Sequence, residues 1–122
     1  MAVFRKIHVS FWSDPYIQSL SPEKRYFFLY LLTNEKTKQC GVYEISKKQI
    51  CDDTGYNMDT VLILLNHFID DDKIKYSEAT NEIAIKNWNR YNKNESKKVD
   101  VLVNKEVMLI KNKDLVAYVI QY

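Results

Sequence analysis

The stretch "ISKKQICDDTGYNMDTVLILLNHF", Ile45 to Phe68, decides how this chain is read. Ser46 and Gln49 stand at capping-box spacing, each side chain placed to satisfy the other's backbone N–H. Ile45 and Ile50 hold the two positions of a hydrophobic staple. Both signals predict a helix start. Gly55, after Thr54, sits where a left-handed C-terminal cap is wanted, so that helix is short. Asn57 then caps a second helix whose apolar residues Met58, Val61, Leu62, Leu65, Phe68 and Ile69 follow helical spacing. Its opposite face carries Asp59, Thr60, Ile63, Asn66, His67 and Asp70. Two short helices joined at a glycine are the pattern of a helix-turn-helix.

Outward from this pair, "KIKYSEATNEIAIKNW", Lys73 to Trp88, reads as a hairpin. Ile74 and Tyr76 point inward on one strand and Ile83 and Ile85 on the other, around turn residues Ser77 to Asn81. Upstream, "CGVYEI" at Cys40 to Ile45 is a short strand candidate. "SPEKRYFFLYLLTN" is a helix with Ser21 as cap, Pro22 at its first position and Asn34 at its end. From Tyr26 to Leu32 it is apolar nearly all round, which predicts the buried centre of the fold. Asp14 and Pro15 start a further short helix in the same way. Val3 to Trp12 alternates and suits a short strand or an extended arm. Helix, turn, helix and hairpin in that order predict a winged helix-turn-helix over residues 1–92, mainly α with a small β-hairpin. The polar run Asn89 to Lys98 marks its edge. Residues 93–122 read as a basic linker and a short C-terminal extension, helical where Leu115, Tyr118, Val119 and Tyr122 recur. "VDVLV" allows helix or strand.

With 122 residues, 46% of them apolar, the chain suits one domain with a real core. Cys40 and Cys51 lack a metal-type spacing and read as reduced thiols of a cytoplasmic protein. No apolar run is long enough to span a bilayer, so no membrane partner is expected.

Catalytic chemistry finds little purchase. Gly41 and Gly55 are the two glycines, so there is no glycine-rich phosphate loop. His8 and His67 form no zinc-binding pattern, and the aspartate runs Asp52–Asp53 and Asp70–Asp72 read as solvated faces or helix ends. The expectation is a non-enzymatic protein with no catalytic residue, metal or cofactor.

Charge placement sets the question of DNA, because affinity for a duplex comes mainly from lysine and arginine on phosphates. Gln49 to Asp72 holds no lysine or arginine and six aspartates, Asp52, Asp53, Asp59, Asp70, Asp71 and Asp72. A reading helix so charged is repelled by the groove it should enter. The cations lie elsewhere: Lys47 and Lys48 in the first motif helix, Lys73, Lys75 and Lys86 in the hairpin, then Arg90, Lys93, Lys97 and Lys98. These nine are the expected DNA contacts, to duplex or single strand. Trp88 and Tyr91 among them suit stacking on unpaired bases, or packing of the hairpin onto the core. The face Asp59, Thr60, Ile63, Asn66, His67 and Asp70 is then either a recognition helix or a surface for a protein partner.

Several motifs carry a resemblance. "W-x-D-P" at Trp12, Asp14 and Pro15, "LLTN" at Leu31 to Asn34, "GVYEI" at Gly41 to Ile45 and "NWNRYN" at Asn87 to Asn92 together resemble one family. It is the N-terminal winged-helix domain of phage replication-initiation proteins, the replisome organisers, akin to DnaD-like primosomal proteins. The resemblance covers about the first three-quarters of the chain. It implies binding of origin DNA, recruitment of a helicase loader or other replisome protein, and possible self-association, all in the bacterial host cytoplasm. The family usually continues into a further C-terminal domain, whereas this chain stops soon after one winged helix. A transcriptional regulator and a pure protein-interaction or oligomerisation module are the alternatives.

Overall fold

The computed structural model describes residues 3–92 and 97–120, with side-chain surroundings omitted for 97–100 and 120. Seven α-helices and three strands are seen among them. The chain enters as an extended arm without sheet pairing and turns through a 3₁₀ segment, Val9–Ser13. The arm alternative is therefore the one adopted. Arg5 ties it down, donating to Thr37 Oγ1 at 2.8 Å and Gln39 Oε1 at 3.0 Å.

Helix α1, Pro15–Gln18, starts where Asp14 accepts from Tyr16 N at 2.8 Å. Helix α2, Pro22–Thr33, is capped by Ser21 and buries Phe27, Phe28, Leu31 and Leu32. Asn34 ends it and donates to the hydroxyl of Tyr43, which itself donates to Leu31 O at 2.7 Å. A tyrosine with no exposed surface is thus fully satisfied at the end of the central helix.

Strand β1, Val42–Glu44, leads into α3, Lys47–Thr54. Ser46 Oγ accepts from Gln49 N at 3.0 Å, but Gln49 turns its amide to Asp53 Oδ1 at 2.8 Å, so the capping box is only half closed. Gly55 ends the helix at φ 84°. Asn57 accepts from Thr60 N at 2.9 Å and opens α4, Met58–Asp70. The buried stripe of α4 is Val61, Leu64, Leu65 and Phe68. It is turned toward Leu64 relative to the expected stripe, leaving Met58 41% and Ile69 38% exposed. The cause is aromatic packing: Phe68 stacks on Phe27 at 6.2 Å and on Phe28 at 5.1 Å, which fixes the rotation of the helix.

Asp72, at φ 56°, bends the chain out of α4 into strand β2, Ile74–Ser77, which pairs with β3, Glu82–Ile85. Strand β1 joins the same sheet, giving the antiparallel order β1-β3-β2 with Tyr43 opposite Ile83. All four residues of β3 are buried. One face, with Tyr43, Ile83, Ile85 and Ile74, lies on the helical core. The other is covered from the C-terminus. After α5, Trp88–Asn92, come α6, Lys97–Leu109, and α7, Lys113–Ile120, and α7 packs on β3 and β1. Ile110, Leu115, Val116, Tyr118 and Val119 belong to the same continuous core as Phe27 and Phe68. "VDVLV" is helical, and Tyr122 lies outside the described residues.

Candidate nucleic-acid and partner interface

The expected DNA-contacting cations fall into separate groups, and each described one is engaged within the molecule. At the start of α3, Lys47 Nζ lies 2.5 Å from Glu78 Oε1 in the hairpin turn and over the ring of Tyr76. Lys48 pairs with Asp52 one turn on, at 3.1 Å. Around the base of the hairpin, Lys73 sits 4.5 Å from the ring centre of Tyr16 and Lys75 4.6 Å from that of Tyr118. Lys86 pairs with Asp72, whose other oxygen accepts from Tyr118 OH. These bonds, with Lys86 foremost, hold the Asp72 carboxyl below its ordinary range. Arg90, on α5, has Nε 3.4 Å from Asp14 Oδ2. Lys97 and Lys98 open α6 without described side chains, and Lys93 lies outside the described residues.

Trp88 and Tyr91 are closed to bases. Trp88 has no exposed surface, and its indole N–H donates to Gln39 O at 2.8 Å. Tyr91 is equally buried, with its hydroxyl donating to Asp14 Oδ2 at 2.8 Å. Burial, reinforced by that bond, raises the phenol well above its ordinary value. The packing alternative is the one realised, because β3 delivers Trp88 straight beneath the Lys36–Gly41 loop. Among the exposed aromatics is instead Trp12, 57% exposed and edge-on to Phe11.

Four of the six residues expected on the outer face of α4 are exposed. Asp59, Ile63, Asn66 and Asp70 are exposed in one line, with Ile63 at 68%. Thr60 is half-buried. His67 is half-buried at the margin, its ring against Phe68 and its Nε2 3.2 Å from Asp71 Oδ2. The face is acidic and apolar, and no lysine or arginine stands on α4.

The chain matches no family model, no curated protein and no solved structure.

Other surfaces offer less chemistry. A cleft of about 550 Å³ is lined by Arg5, Lys36, Lys38, Glu44, Leu102 and Glu106. Its principal polar groups hold the fold: Arg5 ties the arm, and Glu106 accepts from Cys40 N at 3.0 Å. Among the described residues, no three His, Cys, Asp or Glu side chains gather as a metal would require. Burial pushes the Cys40 thiol up to about 11. None of the described helices is long and apolar enough to cross a membrane. One surface escaped the sequence reading altogether. Val101, Leu102, Met108 and Leu109 on α6 are exposed, and the excess of apolar residues around "VDVLVNKEVML" was the available signal.

Proposed function

We propose that this chain is a winged-helix module of the phage replication-initiation kind, a non-enzymatic protein working through DNA and replisome proteins in the bacterial host cytoplasm. The observation that carries the reading is the order of elements. A helix, a strand, a helix pair turning at Gly55 and a hairpin follow one another, with the first strand paired to the last. The motifs "LLTN", "GVYEI" and "NWNRYN" fall on the end of α2, on β1 and on α5, elements of one packed core.

Within that reading, DNA is held by its backbone, through the hairpin and the segment after it, and α4 faces protein. Exposed ion pairs such as Lys48–Asp52 contribute little and exchange readily for phosphate. An acidic α4 does not enter a groove. The partner in view is a helicase loader or another replisome protein. A purely protein-binding module is the second reading, favoured by the internal engagement of every described candidate cation.

The test is an anisotropy titration against duplex and single-stranded DNA at two salt concentrations. Binding should weaken as salt rises, and replacing Arg90, Lys93, Lys97 and Lys98 together with glutamine should weaken it and flatten that dependence. Unchanged affinity in the variant overturns the assigned surface. No binding to either DNA at low salt leaves the protein-binding module as the function.

A further inference from the structure

The descent from α4 into the hairpin breaks two local preferences at once. Lys73 N donates to Phe68 O at 2.9 Å and Asp72 N to Ile69 O at 3.0 Å. These are the paired bonds of a Schellman cap, with Asp72 at its left-handed position, φ 56°. Glycine is the usual residue there, as Gly55 is after α3, and asparagine is the next choice. A carboxylate at a helix C-terminus also faces the negative end of the macrodipole. Backbone and dipole alike disfavour an aspartate, so what the position gains from one lies in its side chain.

That side chain fills a site for an anion. Lys75 stands opposite Ala84, and Lys86 follows two residues on, its N–H bonded to Lys73 O at 3.0 Å. Lys75 and Lys86 are therefore diagonal neighbours on the outer face of the hairpin. The ring of Tyr118, from α7, lies close to both, 4.6 Å from Lys75 Nζ and 6.0 Å from Lys86 Nζ. Tyr118 OH donates to Asp72 Oδ1 at 2.9 Å, and Lys86 Nζ donates to Oδ2. Lysines and a hydroxyl are also the donors that hold a phosphodiester.

We propose that these groups form a phosphate site of the DNA-binding surface and that Asp72 is its internal competitor, a carboxylate that the DNA backbone must displace. The contact differs from Lys48–Asp52, a lone pair of two mostly exposed side chains. Lys86 keeps only 21% of its side chain exposed, and Asp72 has a second tether in Tyr118. Asp72 itself is 60% exposed, so a phosphate has access to the same donors. The carboxylate acts as a brake: it lowers affinity for DNA of any sequence and leaves base preference untouched. The inference rests on the reading that the hairpin meets the DNA backbone.

The experiment is the anisotropy titration on the full chain, with Asp72→Asn, Lys86→Gln, the two combined, and Asp59→Asn. Asparagine suits the left-handed cap, so Asp72→Asn keeps the backbone, and Asp59→Asn makes the same change in net charge on α4. Asp72→Asn should bind DNA several-fold more tightly than the native chain at low salt, with a salt slope steeper by about 1. Asp72→Gly, with the residue the cap prefers, should do the same. Lys86→Gln alone should change little, because Asp72 already occupies Lys86, and the combined variant should lose most of the gain. Asp59→Asn should bind as the native chain does. An equal gain from Asp59→Asn reduces the effect to net charge and overturns the site, as does a gain that survives in the combined variant. If the native chain binds and neither Asp72 variant binds more tightly, the brake fails while the DNA reading stands. If no protein of the series binds duplex or single strand at low salt, both fail together.

Discussion

At the residue scale, the two glycines illustrate how equal backbone angles lead to unequal demands. Gly41 and Gly55 have φ of 83° and 84°, so an alanine at either costs about 1–2 kcal/mol for the left-handed conformation alone. Their surroundings differ. A Cβ on Gly55 meets nothing within 4 Å, whereas one on Gly41 would lie 2.7 Å from Cγ of Trp88. Trp88 is fully buried and bonded to Gln39, so it has nowhere to move, and overpacking adds roughly 1–3 kcal/mol. Urea unfolding should therefore show Gly41→Ala costing clearly more than Gly55→Ala. Equal losses would mean that Trp88 yields. Gly55 was legible in the sequence because a helix cap is a local event. The role of Gly41 was not, since its partner is 47 positions away and no local pattern joins them. The same distance left Trp88 and Tyr91 open between stacking on bases and packing of the hairpin onto the core.

At the scale of elements, strand β3 shows what a period of two conceals. "EIAI" reads as alternation with Glu82 and Ala84 toward water, and the backbone does alternate that way. Yet Glu82 is only 3% exposed, because the turn between α6 and α7 sits on it. Its carboxylate accepts from Lys111 N at 2.9 Å and Asn112 N at 2.8 Å. Burial pushes this carboxyl up, but the two backbone N–H bonds, Thr80 and the Lys111 charge outweigh it, and the net shift is below the ordinary value of 4.5. A depressed folded-state value stabilises the protein above the unfolded value, and that contribution is lost as pH falls through the lower folded one. Glu82→Gln leaves a single carbonyl oxygen for two donors and costs about 1–3 kcal/mol near neutral pH. The variant should lose less additional stability than the native chain when pH is lowered below 4.5. Its amides at Lys111 and Asn112 should also exchange faster with deuterium. Parallel acid-unfolding curves for the two proteins would show that Glu82 does not latch the turn.

At the scale of the molecule, the sheet is the middle layer of a sandwich, and the C-terminal helices are its second cover. The helix pair α3 and α4 and the hairpin were readable because caps, turns and stripes act within a few residues. The second cover was not, because nothing in "DLVAYVI" says which surface it will bury. A boundary near Asn92, reasonable from the polar run that follows, falls between two parts of one continuous core. Each of Ile110, Leu115, Val116, Tyr118 and Val119 is buried there, and burial of such a side chain is worth about 1.5–3 kcal/mol. A chain ending at Asn92 would expose Val42 of β1 and Ala84 of β3 on the outer face of the sheet, and would remove Glu106 from Cys40 N beside the β1 edge. It should therefore melt well below the full chain, bind a hydrophobic dye and aggregate on warming. Adding a separate peptide of residues 97–122 should restore part of the lost stability, since the cover binds the folded sheet and not the unfolded chain. A fragment 1–92 that melts at the temperature of the full chain would make α6 and α7 an appendage, and would leave the burial of Glu82 and Ala84 on the outer face of β3 without an energetic role.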